Sequence, residues 1–201
     1  MKRYIESAIF SPDMEVYGRT YTEWIVRWWQ WLLSIPREHS PATDTLGLNA
    51  SQNQDDPHVW FLAGTFGGHA ERKCIIPRGK AIFMPIINYE CSLAGSPGIC
   101  NDFELESRCK SEIDDIMDVT FEIDGFLISD LSPYRARSPL FNVHLIENNI
   151  FNFAPGHTKM ITDGFWIFLK PPTIGRHSIV TFGSCRTGKI MIGTSYDLII
   201  K

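Results

Sequence analysis

The sequence predicts a mainly β, α+β fold: an antiparallel β-sandwich or jelly-roll-like arrangement with a tryptophan-rich helix near the N-terminus and a second helix near 102–118. Three observations predict it. Many short apolar runs are separated by Gly and Pro, only two stretches carry helical periodicity, and those two are not interleaved with strands as a parallel βαβ fold requires. At 201 residues, with 44% hydrophobic and 21% charged residues, the chain has the size and composition of one ordinary globular domain. It divides into an arm (1–19), the tryptophan helix (20–35), a long loop (36–57) and a β-rich core with an inserted helix (58–201).

Thr20-Tyr21-Thr22-Glu23 has the form of a capping box, in which Thr20 and Glu23 each satisfy a backbone donor at a helix start. The helix is expected to run to about Ser34, because Pro36 cannot continue the hydrogen-bond ladder and restricts the residue before it. Glu23, Arg27, Gln30 and Ser34 form one narrow polar stripe, and Trp24, Trp28 and Trp31 stack along an apolar side. From Pro36 to Pro57 the chain is polar and aperiodic, which reads as a long surface loop.

Strands are expected at Val59–Ala63 and Ala70–Ile76, joined by Gly64-Thr65-Phe66-Gly67-Gly68. A third, Ala81–Asn88, is apolar at consecutive positions, as in a strand covered on both faces. Leu105, Cys109, Ile113 and Ile116 or Met117 give the second helix an apolar side, with Asp102 as its N-cap. Val119–Ile123, Asp124-Gly125 and Phe126–Ile128 spell a hairpin, since Asp-Gly readily takes the positive φ angles of a type I′ turn. Phe165–Leu169, His177–Phe182 and Ile190–Ile200 supply the last strands.

A net charge of -4 argues against a nucleic-acid partner, because phosphates demand a basic face. The basic clusters Lys2-Arg3, Arg72-Lys73 and Arg135/Arg137 are each too short to track a backbone. Trp24 to Leu33, the most apolar stretch, is interrupted by Arg27 and Gln30 and falls well short of a membrane span. Glu6 and Asp13 break the N-terminal stretch before it becomes an export signal, so a cytoplasmic protein is expected, or an exported one if the sequence is a piece of a longer chain. The five cysteines form no CxxC pair and read as reduced, buried thiols; the alternative is a Cys91–Cys100 bridge in an oxidising compartment.

Several candidates for chemistry stand beside plainer readings. Gly183 to Lys189 fits GxxxxGK, but Ile190 follows where a Ser or Thr must hold magnesium, so a strand-connecting turn is expected. The tryptophans fit a sugar-stacking platform or, better, an ordinary core. His69, Glu71 and Lys73 share one face of a strand, as a proton-transfer set, metal ligands or simply a solvated face. Asn88 and Glu90 continue the face of Ile82, Met84 and Ile86; there a carboxylate is partly desolvated and its pKa pushed upward, as in a general acid or base. Alternatively Glu90 lies past the strand end, in solvent or paired with an Arg. His39, His58, His144, His157 and His177 show no HxH or HExxH spacing, and neither a metal nor a cofactor is read from the sequence. Asn49-Ala50-Ser51 matches a glycosylation sequon, a chance match without export.

The segments Thr22-Glu-Trp24, Trp28-Trp-Gln-Trp31, Ser34-Ile-Pro36, Val59-Trp-Phe-Leu-Ala-Gly64, Glu71 through Lys80 and Pro85-Ile-Ile-Asn88 together resemble a family of uncharacterised prokaryotic proteins, many with an export signal. The likeness continues through Leu131-Ser-Pro-Tyr134-Arg, Asp163-Gly-Phe-Trp166 and Gly175-Arg-His177-Ser-Ile. It implies no activity and no catalytic residues. Three functions therefore stand as expectations. The first is a non-catalytic module holding a small polar molecule or glycan in a groove near the Pro36 to Pro57 loop. The second is a hydrolase or lyase using Glu90 as acid or base with Asn88 and His69. The third is a structural or assembly protein.

Overall fold

Thr20 caps the first helix as the sequence predicts. In the computed structural model, which describes residues 7–99 and 101–201, α1 spans Tyr21–Leu33 and both halves of the capping box are formed. Trp24, Trp28, Trp29 and Trp31 are all buried, so the tryptophans are core, while Glu23, Gln30 and Ser34 face water. Two of the indole N–H groups are satisfied inside that core: Trp24 donates to the Val16 carbonyl and Trp28 to the Leu62 carbonyl, both at 2.9 Å.

Among the described residues ten strands follow: β1 Val59–Phe61, β2 Gly68–Ile76, β3 Ala81–Ser92, β4 Ile116–Ile123, β5 Phe126–Leu127, β6 Arg135–Arg137, β7 Phe141–Leu145, β8 Gly156–Leu169, β9 Gly175–Cys185 and β10 Met191–Ile200. One sheet has the order β1-β3-β8-β6, with β7 also on β8; the other runs β2-β10-β9-β4-β5. Most pairs are antiparallel, but β1 pairs with β3 and β2 with β10 in parallel, so both sheets are mixed. The chain leaves β1, forms β2 in the other sheet and returns to β3; such a crossover is what a parallel pair needs. The predicted hairpin is β4–β5, with Asp124 at φ 50° and Gly125 at φ 79° in its turn. Gly183 to Lys189 is the end of β9 and the turn to β10, not a phosphate loop.

The sheets pack face to face. Ile82, Met84, Ile167 and Leu169 of the first meet Ile76, Phe121, Ile179 and Leu198 of the second. The other face of the first sheet carries α1: Phe61, Phe83, Trp166 and Phe168 receive its tryptophans, Phe83 and Trp166 stacking at 5.6 Å between ring centres. Helix α1 thus forms a third layer.

The second helix, α2 (Asp102–Asp114), is shorter than expected, because Ile116 and Met117 belong to β4. Its N-cap is Asn101, whose Oδ1 accepts from the Glu104 amide at 2.9 Å; Asp102 sits in the first turn. Leu105 and Cys109 pack on Cys91 and Ile161, clamping the helix over the far ends of β3 and β8. Cys74, Cys91, Cys109 and Cys185 are free and buried; the Cys91–Cys100 alternative involves a residue outside those described.

The 36–57 segment forms no strand, yet it is more than a surface loop, since Ser40, Ala42, Ala50 and Asp56 are buried. Arg72 anchors it. Its guanidinium, 2% exposed, donates to the carbonyls of Asp44 (2.6 Å), Ala63 (2.6 Å) and Gly64 (3.0 Å) and to the Tyr196 hydroxyl (2.8 Å). Alternation in β2 sends Arg72 inward and its neighbour Lys73 outward, so the two are no basic cluster.

Candidate functional site

The site lies where the first sheet is incomplete. β1 accompanies β3 only over Ala81–Phe83, and from Pro85 onward that edge of β3 meets no other strand among the described residues. Pro85 suits such an edge, having no amide hydrogen to leave unpaired. Between Pro85 and Ile87 the pairing with β8 slips by one residue: Pro85 faces Trp166 and Ile87 faces Phe165. A bulge of this kind adds a residue to one strand and reverses the facing of everything after it.

The bulge corrects one expectation. Ile86 and Ile87 both point at the second sheet, Ile87 lying against Gly183, where an added Cβ would come within 2.8 Å of it. Asn88 and Glu90, opposite Gly164 and Thr162, therefore turn to the α1 side instead of continuing the face of Ile82, Met84 and Ile86. Gly164 permits this close approach, for a Cβ there would sit 2.5 Å from the Asn88 Cβ. β3 also runs to Ser92, which leaves Glu90 inside the strand and not beyond its end.

Around this open edge is a pocket of about 270 Å³, a little below the usual range for ligand sites. Asn88, Tyr89 and Glu90 form its floor; Trp29 and Phe151 close the α1 side, Phe66 the rim, Glu112 of α2 and Ile190 and Ile192 the other side. Trp29 and Phe151 stack at 5.9 Å, and Phe66 meets Phe151 edge to face at 5.9 Å. Phe66 is 55% exposed, an aromatic left standing in water beside the opening.

Glu90 is the unusual group. It keeps part of its surface open to the pocket, but its Oε2 is enclosed and has no hydrogen-bond partner among the described residues. Burial pushes its carboxyl up to about 7, against the smaller opposing pull of the Ser92 hydroxyl and the Arg108 guanidinium. The indole N–H of Trp29 is likewise buried without a partner. One unfilled acceptor and one unfilled donor thus accompany a wall of aromatic rings.

Asn88 and Glu90 come together as the sequence suggested. His69 does not join them: it lies on the outer face of the second sheet, with Nε2 3.1 Å from the Ser195 hydroxyl, and Glu71 and Lys73 share that exposed face. Trp29, Phe66, Phe151 and Glu112 were not singled out by sequence reasoning. Trp29 alone carried a signal, since it falls off the stripe of Trp24, Trp28 and Trp31.

Two other clefts are better satisfied. One of about 380 Å³ adjoins the 36–57 segment, but there Trp31 donates to the Gln52 carbonyl at 2.9 Å and Asn53 to the Ser34 hydroxyl at 2.9 Å, and the Arg27 Nε is enclosed without a partner among the described residues. The other, about 460 Å³ and mostly apolar, contains His177 and Asp124 already bonded to each other at 2.8 Å. No helix among the described residues is long and apolar enough to cross a membrane.

Comparison with known proteins adds no assignment: no family model, curated protein or solved structure matches the chain.

Proposed function

We propose that this protein is a non-catalytic binding module, and that its small polar ligand or glycan unit sits at the open edge of β3 and not beside the 36–57 segment. The observation that carries this reading is the enclosed, unpartnered carboxylate oxygen of Glu90 at the base of an aromatic-walled pocket. A buried polar atom without a partner is costly, and a ligand that fills it recovers that cost on binding. The exposed Phe66 ring at the rim supplies stacking area at little entropic loss.

The test is a ligand screen of polar small molecules and oligosaccharides read by the NMR signal of the Trp29 indole N–H. A true ligand shifts that signal in the wild type, and Asn88→Ala weakens the response at least tenfold. A screen in which no compound moves it, while binding appears elsewhere or nowhere, refutes the reading.

A second reading is an enzyme in which Glu90 serves as general acid or base. It is favoured by the carboxyl at about 7, where a group can both give and take a proton at neutral pH. Its test is turnover: a ligand found in the screen is consumed by the wild type and left intact by Glu90→Gln. An intact ligand after prolonged incubation with the wild type excludes it.

A further inference from the structure

The pocket has a definite charge character. Among the described residues its lining includes two carboxylates, Glu90 and Glu112, and no Lys, Arg or His. Arg108 of α2, the cation that acts on Glu90, is not among the residues lining the pocket; its side chain bonds to Tyr89. Glu90 has an acceptor oxygen that no described residue fills, and a neutral ligand donor would leave its negative charge balanced only by the smaller pulls of the Ser92 hydroxyl and Arg108. Phe66, more than half exposed at the rim, offers a π-system that attracts positive charge, while Trp29 and Phe151 stack on each other behind it and Phe151 also on Phe153. Ile87, Ile190 and Ile192 complete the wall and ask for hydrocarbon.

We propose that the pocket binds a small organic cation, an alkylammonium whose N–H groups bond to the Glu90 carboxylate while its carbon skeleton lies against Phe66 and the isoleucines of the wall. This rests on reading the pocket as a ligand site and adds the class of ligand. An amino sugar or amino polyol and a plain aliphatic amine share this chemistry, and the experiment separates them.

Binding of a cation draws Glu90 into its carboxylate form, so affinity should depend on pH. Among the described residues the charged and titratable groups about Glu90 are Arg108, Cys109 and Glu112 from α2, Tyr89 and Cys91 from β3 itself, and Asp163 of β8 opposite Tyr89; the residues lining the pocket from α1, β10 and the segments around Phe66 and Phe151 do not ionise. Below about 7 the ligand must displace the Glu90 proton, and affinity should fall by about tenfold for each unit of pH.

The test is titration of the full chain at pH 8.0 with four probes: cyclohexylammonium against cyclohexanol, and N-methylglucamine against sorbitol. Binding is followed by calorimetry and by the Trp29 indole signal. The expected result is that at least one amine binds ten times or more tighter than its neutral counterpart, and that Glu90→Gln, which keeps the shape and removes the charge, abolishes the preference. Preference confined to N-methylglucamine identifies the amino polyol as the source, and preference for cyclohexylammonium the aliphatic amine. If neutral probes bind as tightly as amines, or Glu90→Gln leaves the preference unchanged, the cation inference is wrong and the ligand site survives. If none of the four, nor any member of the wider screen, moves the Trp29 signal, both fall.

Discussion

Replacing Glu90 by Gln should stabilise this protein at alkaline pH. An ordinary glutamate titrates near 4.5 and the enclosed Glu90 at about 7. Each tenfold difference in proton affinity corresponds to about 1.4 kcal/mol, so burial of the charged form costs up to about 3 kcal/mol. Glu90 keeps part of its surface open to water, which reduces the realised cost to about 1–2 kcal/mol. The direction follows from proton linkage. A carboxyl whose folded pKa is raised binds its proton more tightly in the folded state, so its contribution is fully present below 4.5 and is lost as pH climbs to 7. Glutamine has the shape of the neutral acid and no proton to lose. Wild type and variant should therefore unfold alike near pH 4.5 and diverge through pH 7, the variant's midpoint standing about 2–4 °C higher for each kcal/mol gained. Thermal and urea unfolding at pH 4.5, 6, 7 and 8 measures this. Parallel stability curves for the two proteins across that range, or a variant less stable at pH 8, would refute the argument that Glu90 is enclosed with its charge only partly compensated.

Four other predictions test the frame that builds the site. Arg135 holds the buried Asp163 through two hydrogen bonds, at 2.8 and 3.2 Å; Arg135→Ala leaves that carboxylate unpaired and should cost about 3–5 kcal/mol by urea denaturation. Arg72→Met removes the donor shared by the Asp44, Ala63 and Gly64 carbonyls; a loss of about 3 kcal/mol is expected, with faster hydrogen exchange confined first to residues 42–49 and 63–67. Gly183→Ala drives a methyl into Ile87 and should cost about 1–3 kcal/mol, whereas combined with Ile87→Ala the total should fall short of the sum of the single changes. Trp166, fully buried between Phe83 and Trp28, should lose about 3–5 kcal/mol on conversion to alanine; a loss below about 1 kcal/mol would mean that α1 does not pack on the first sheet as described.

Glu90 and Asn88 were legible as candidates because a polar pair ending a long apolar run is a local signal. Their facing was not. The rule of alternation assigns them to the side of Ile86, and the bulge after Pro85 overturns it, since a slip in register depends on what β8 presents opposite. His69 failed as a partner for a related reason. Its alternation with Glu71 and Lys73 was real, but which sheet that face belongs to depends on the pairing of β2 with β10, strands more than a hundred residues apart.

What the sequence by itself determined are the features that close within a few residues: the Thr20 capping box, the Asp124-Gly125 hairpin turn, the apolar side of α1 and the β-rich character of the remainder. These depend on backbone donors, φ angles and periodicity, all set by near neighbours. The parallel pairs, the third layer made by α1 and the pocket itself were decided only in three dimensions. Trp29, Phe66, Asn88, Glu90, Glu112 and Phe151 come from five separate stretches of chain and meet because β1 stops short of the end of β3. No local rule sets where a neighbouring strand will stop; past the end of β1 the chain is held at Ala63 and Gly64 by hydrogen bonds from Arg72 of the second sheet, in a strand that pairs with β10 and not with β3.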